Sequence, residues 1–146
     1  MMRLEDGMKE LTSKLKLPLE NPDEDGVYRL IFDNSLELEI FKGEAAQIIV
    51  SSPLLKELPE DEAARQELLA KYLRLNFAAL KKEQEDVLSL DPDSNHLVLY
   101  RKINTQHLYP DEFVKIVESH LNNLELWRAL GDDRQPNNPP TTMISP

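Results

Sequence analysis

The sequence contains no cysteine. A disulfide framework, a thiolate metal site and a cysteine nucleophile are therefore excluded, and the absence fits a reducing cytosol. Glycine is nearly as scarce, at four residues in 146. Little is left from which to build a phosphate loop, a dinucleotide fingerprint or a nucleophile elbow, and none of these motifs occurs. No apolar run approaches the roughly 18 residues of a membrane span. The opening MMRLEDGMKE has no apolar h-region, so no secretory signal is expected and the protein should remain where it is made. Positive charge is also short, with 17 Lys and Arg against 27 Asp and Glu, a net charge of −10. Nucleic acid needs a basic face to displace counterions from phosphates, and an anionic membrane surface favours Lys and Arg. Neither is an expected partner.

Hydrophobic residues make up 40% of the chain, enough to bury a core. The length suggests one domain. Leu4, Met8, Leu11 and Leu15 recur at helical spacing and predict a first helix. Gly7 weakens it by up to about 1 kcal/mol relative to Ala, and Pro18 stops it. NPDEDG, residues 21–26, is turn chemistry.

Three strands are predicted next, at Val27–Phe32, Ser35–Phe41 and Ala45–Val50, the last closed by Ser51, Ser52 and Pro53. Asp33-Asn34 and Lys42-Gly43 would join them as hairpin turns in an antiparallel meander. Leu36, Leu38 and Ile40 alternate with Glu37 and Glu39, so Phe41 falls on the glutamate face and is a candidate for exposure. The small Ala45 and Ala46 would permit close approach to the third strand.

A second helix is predicted over 60–83, with Glu60, Asp61 and Glu62 at its positive end. Its apolar residues cover more than one narrow stripe, which implies a contact beyond its own core. Val87–Leu90 and Leu97–Ile103 predict two more strands around the turn DPDSN. A last helix starts near Pro110, carries Phe113, Ile116, Val117, His120, Leu124 and Trp127 on one stripe, and is capped by Gly131. The order is α-β-β-β-α-β-β-α, an α+β domain over residues 1–131 with a twisted antiparallel sheet packed by helices. Residues 132–146, DDRQPNNPPTTMISP, hold four of the ten prolines and are expected to be a disordered tail.

Asp91-x-Asp93-x-Asn95 matches the first ligand positions of a calcium loop. However, His96 stands where the loop needs Gly and Lys102 where it needs Glu, so a hairpin turn is the better reading. His96, His107 and His120 have no metal-ligand spacing, and His120 reads as a packed neutral histidine. Asp23, Glu24 and Asp25 read as a solvated turn. Ser51-Ser52 could be called a nucleophile pair, but no His is placed to activate it. No catalytic residue, metal site or cofactor is expected, and the chain is not expected to be an enzyme. Binding of an extended peptide, by strand addition and apolar pockets, is the alternative that fits a small α+β domain.

The stretch Tyr72–Leu130 resembles the class I type III secretion chaperones, the Tir-chaperone-like family. The resemblance rests on Leu75-Asn76 in the second helix, the strand LSLD at Leu88–Asp91, the strand LVLYRKI and an aromatic, Trp127, near the end of the closing helix. Size, acidity and element order agree. Lys81–Asp86, KKEQED, departs from the Gly-rich approach to the fourth strand that is frequent in the family, and the Pro-rich tail is no part of its pattern.

The resemblance implies a cytoplasmic bacterial homodimer that binds the N-terminal region of a secreted effector without ATP, holds it extended and soluble, and helps deliver it to the secretion apparatus. It implies a dimer interface at Leu69, Leu73, Phe77, Leu80, Val87, Leu88 and Leu90. Effector-binding candidates are Leu4, Met8, Leu11, Leu15, Phe32, Ile40, Phe41, Ile48 and Ile49, some of which must be core. Two other readings stay open: a regulator of the same fold that binds another secretion-system protein, and a peptide-binding module that is not a chaperone. An enzyme with an unrecognised site is a further possibility.

Overall fold

The computed structural model describes residues 1–131 except 56, 83, 84, 92 and 95, and of Leu80 it describes the backbone alone. The expected tail at 132–146 lies outside the described residues. The elements are α1 (Leu4–Lys14), β1 (Tyr28–Phe32), β2 (Leu36–Lys42), β3 (Gln47–Leu55), α2 (Glu62–Lys81), β4 (Val87–Leu90), β5 (Leu97–Asn104) and α3 (Pro110–Gly131). The predicted order is the observed one.

The strands form one antiparallel sheet in the order β1-β2-β3-β5-β4, so β1 and β4 are its edges. Alternation fixes which way the sheet faces. Tyr28, Leu30, Leu36, Leu38, Ile40, Ile48, Val50, Leu54, Leu97, Leu99 and Ile103 are buried on one side. That side carries α1 and α3, which pack on each other and bring Met8, Leu11, Phe113, Val117, Leu124 and Trp127 to the same core. α2 stands apart, against β4 and the end of α3. There the Tyr72 ring stacks on Trp127, with centroids 6.4 Å apart, and its hydroxyl donates to the Trp127 carbonyl at 3.3 Å.

Local chemistry sets the ends. Lys16 is left-handed at φ 56°, and Leu17 N–H returns to the Thr12 carbonyl at 2.9 Å, closing α1 ahead of Pro18. Asp33 and Asn34 are both left-handed, as a tight β1–β2 turn requires. The Asp61 carboxylate accepts from the Ala64 N–H at 2.9 Å and starts α2 two residues later than expected. Glu112 reaches back to the Tyr109 N–H at 2.9 Å at the head of α3.

Four expectations need correction. β3 does not close at Ser51-Ser52-Pro53 but runs through them, because the sheet shifts register between Pro53 and Leu55, where a proline is tolerated. The β2–β3 connection is residues 43–46, not a two-residue turn, since Lys42 still pairs with Ile48. Ala45 and Ala46 lie in this loop, where Ala46 takes the Thr105 N–H at 2.9 Å, so they open no path to a strand. Gly131 is not a left-handed cap, as it continues α3 beneath the Tyr72 hydroxyl, where any Cβ would collide. Gly7 has the same use: a Cβ there would lie 2.7 Å from Met2 Cε and 2.9 Å from the Phe113 ring, so its absence lets α1 cross α3 closely.

Candidate interaction surfaces and a buried polar cluster

Of the nine effector-binding candidates, Leu4, Met8, Leu11, Ile40 and Ile48 are 0–3% exposed. They are core, and in this structure they offer nothing to a partner. Leu15 and Phe32 are half-buried against that core. Phe41 and Ile49 are different. They are cross-strand partners on the side of the sheet away from the helices, and both are half-buried.

This open face carries Arg29 and Ile31 on β1, Glu37, Glu39 and Phe41 on β2, Ile49, Ser51 and Pro53 on β3, and Val98, Tyr100 and Lys102 on β5. No helix covers it among the described residues. Ile31 was not singled out from the sequence, yet it is 61% exposed. Its signal was Arg29, two positions earlier in Val27–Phe32, which shares its face by strand alternation.

Several of the dimer candidates are exposed apolar side chains. Leu73 and Phe77 on α2 are 61% and 60% exposed, and Leu90 on β4 is 47% exposed. Leu69, Val87 and Leu88 are half-buried, and Leu69 and Leu88 are partly spent on the core. The Leu80 side chain lies outside the described residues. Lys81 Nζ sits 4.8 Å over the Phe77 ring, a cation–π contact. α2 carries Arg65, Lys71, Arg74 and Lys81 against Glu62 and Glu67, so it is a basic element in an acidic chain. Asn76 Oδ1 accepts from the Leu88 N–H at 3.2 Å, which ties β4 to α2 and makes one unit of the two.

Between the sheet and α3 the fold assembles a cluster that the sequence did not reveal. His120 Nδ1 lies 2.7 Å from Asp86 Oδ1, and His120 Nε2 lies 2.9 Å from Ser52 Oγ. Arg101 donates to both Asp86 oxygens, from Nε at 3.1 Å and from Nη2 at 2.5 Å, and Asn123 Nδ2 donates at 2.6 Å. An ionised carboxylate only accepts, so Nδ1 carries the proton; with the imidazole neutral, Ser52 donates to Nε2. Burial alone would push the Asp86 pKa up. The hydrogen bonds from His120, Arg101 and Asn123 overcome that and hold it at about 2.

The expectation that no His is placed near Ser51-Ser52 is thus corrected for Ser52. The order Ser–His–Asp is that of a hydrolase triad. Its setting is not, because Ser52 and His120 are 0% exposed and Asp86 is 1% exposed at its side chain. A nucleophile needs a substrate within reach, and this one faces the core. What the cluster does is join β3, the entry to β4, β5 and α3. The packed histidine expected at position 120 is there, with both ring nitrogens satisfied.

Elsewhere the acidic motifs are turns. Asp91 accepts from the Asp93 N–H at 3.1 Å and the Ser94 hydroxyl at 2.9 Å, organising the β4–β5 hairpin rather than a calcium loop. Asp23 accepts from the Asp25 and Val27 N–H groups, both at 2.9 Å, and pairs with Arg29, which lowers its pKa. No group of three or more His, Asp or Glu able to hold a metal occurs among the described residues. No helix among them is long and apolar enough to cross a membrane.

The sequence profile of the Tir chaperone protein (CesT) family matches residues 8–128, and the chain belongs to that family. A search of curated proteins finds no match. Solved structures with the same fold include the ExsC–ExsE complex, at 20% identity and TM-score 0.66, covering 92% of this chain and 100% of the other. The HopA1–SchA chaperone–effector complex is similar at 18% identity and TM-score 0.62, covering 88% and 99%. The Yersinia pestis type III secretion chaperone SycH, in complex with a fragment of YscM2, is similar at 14% identity and TM-score 0.54, covering 83% and 96%.

Proposed function

We propose that this chain is a dimeric type III secretion chaperone. It binds the N-terminal region of a secreted effector in the cytoplasm, keeps that region extended and soluble, and helps deliver it to the secretion apparatus. The observation that supports this reading is the pair of uncovered apolar surfaces on a chaperone-family fold. The α2–β4 surface, with Leu73, Phe77 and Leu90, is suited to a second copy. The open sheet face, with Ile31, Phe41 and Ile49, and the free edge of β1 are suited to cargo.

The physics is that of coupled ordering and binding. An extended segment laid on apolar surface cannot collapse on itself, and its apolar side chains leave water. The wide contact offsets the entropy lost by the ordered segment. The net charge of −10 keeps the complex dispersed. No bond is made or broken, so no cofactor is called for.

The test is copurification with the N-terminal region of the secreted protein encoded by the neighbouring reading frame, with stoichiometry from light scattering. Two chaperone chains per cargo are expected. A strict monomer at micromolar concentration that retains no secreted protein overturns the reading. Retention of a non-secreted regulator instead identifies the alternative, a regulator of this fold.

A further inference from the structure

β4 is an edge strand of four residues whose burial shows no alternation. Val87, Leu88 and Ser89 are alike half-buried, with Leu88 packed in part on the core, and Leu90 is exposed. Register is set strongly where one face of a strand is buried and the other is not. Burial therefore gives β4 little to keep it from slipping along β5.

Polar groups supply what burial does not. Asp86, at the head of β4, falls opposite Arg101 in the β4–β5 register, since Val87 pairs with Tyr100. Its carboxylate accepts from Arg101 of β5 and from His120 and Asn123 of α3, and Ser52 of β3 holds His120 from its other nitrogen. A slip of one residue would carry Asp86 to the other face and leave Arg101 buried without its anion. Two residues along, the Leu88 N–H donates to Asn76 of α2 at 3.2 Å. The other main hold on α2 is at the end of α3, where Tyr72 stacks on Trp127. Direct contacts thus lead from the buried cluster through β4 to the helix that carries the exposed Leu73 and Phe77.

We infer that Asp86, held by Arg101, His120 and Asn123, is a positioning residue for the partner-binding side of the chain: it pins the register of β4 and, through Asn76, the pose of α2. Asp86, Arg101 and His120 are buried, so they act through β4 and not by touching a partner. That a second copy reads this pose rests on the chaperone reading, whereas the pinning itself does not.

The experiment uses the full chain. Asp86→Asn keeps the shape of the side chain and removes its charge. Asn76→Ala cuts the link from β4 to α2, and Asn76→Asp restores an acceptor there. Leu30→Ala is the control, because it truncates the core beneath β1, the opposite edge strand, and lowers stability without touching β4. Amide hydrogen exchange reads the pose, at dilutions where light scattering finds the same oligomeric state for every variant. The dimer constant is read separately from a dilution series.

Asp86→Asn is expected to speed exchange in β4 and α2 about tenfold more than in β1 and β2, and to weaken the dimer about tenfold. Asn76→Ala should speed α2 and weaken the dimer less, and Asn76→Asp should recover most of both. Leu30→Ala should speed β1 and β2 first and change the dimer constant less than about twofold. Exchange that rises evenly over the sheet in Asp86→Asn, or a dimer weakened as much by Leu30→Ala, overturns the assignment, since either marks a role in stability alone. If Asp86→Asn does not fold, Asn123→Ala, which removes one of the four hydrogen bonds, should give the same pattern at about threefold, and unchanged exchange in β4 then overturns it. A monomeric unaltered chain overturns the homodimer of the proposed function, while the exchange pattern still decides the pinning.

Discussion

On the helix-covered face of the sheet, charge is taken fully out of water and its partners are supplied. Asp86, buried beside Arg101, receives four hydrogen bonds from three residues. On the open face, Glu37, Glu39 and Phe41 are half-buried and Ile31 is exposed, with no helix over them among the described residues. One face spends its polar groups on holding the fold together, and the other leaves its surface for something else. The difference also separates what is costly to mutate from what is cheap. A substitution on the first face should be read in stability, and a substitution on the second in binding.

The largest effect is expected at the centre of the cluster. Asp86→Ala leaves Arg101 as an uncompensated buried cation and His120 Nδ1 without an acceptor. Removing one partner of a buried pair costs about 3–5 kcal/mol. Denaturant unfolding should show the midpoint falling accordingly. A loss below about 1 kcal/mol would mean that water reaches Arg101 and that the covered face is not sealed.

Acid should act on the same group. Asp86 titrates at about 2 in the folded chain against an ordinary 3.8. A depressed folded value means that the unfolded chain binds the proton first. The stability that Asp86 contributes is complete above about pH 4 and is lost as pH falls through 4 towards 2. A shift of nearly two units corresponds to about 2 kcal/mol. The measurement is the pH dependence of unfolding between 5 and 2, compared with Asp86→Asn. The asparagine variant is less stable at neutral pH, but its profile should be flatter by about that amount.

A steric version of the comparison is smaller. Gly7→Ala gains up to about 1 kcal/mol of helix propensity but drives a methyl into Met2 and the fully buried Phe113. Overpacking costs about 1–3 kcal/mol, so a net loss near 1 kcal/mol is expected from thermal unfolding. Stabilisation would show that α1 can slide on α3.

The fold was readable because its signals are local. Element order follows from helical and alternating spacing, from the Asp33-Asn34 turn and from Pro18 and Pro110. The site was readable only in part. Phe41 could be assigned to the glutamate face because β2 alternates cleanly; the second helix was visible as too apolar for one stripe, but Leu73 and Phe77 were singled out only by what the family resemblance implies. Leu4, Met8, Leu11, Ile40 and Ile48 show the opposite case. A core residue and a binding residue are both apolar, and only the tertiary packing of α1 on α3 sorts them. The buried cluster was illegible for a different reason. Ser52, Asp86, Arg101 and His120 are separated by up to 68 positions, and Asp86 ends KKEQED, a run whose composition reads as a solvated turn. Nothing local distinguishes a carboxylate that will be buried from one that will not.

The smallest effect on stability is expected where the second apolar surface is most exposed. Phe77 is 60% exposed and gives little to the core, so Phe77→Asp should change the stability of a single chain by no more than about 0.5 kcal/mol. It does lose the contact with Lys81. If α2 forms the dimer, the same substitution buries a carboxylate in an apolar contact on both copies. Light scattering should then find monomers at concentrations where the unaltered chain is dimeric. Lys81 and Arg74 could neutralise the new charge, so Phe77→Ser serves as the uncharged counterpart and should weaken the dimer as well, though less. A dimer that survives both substitutions moves the interface away from α2. The exposed Leu73 and Phe77 would then need a different partner, and the open sheet face would become the remaining place for a second copy.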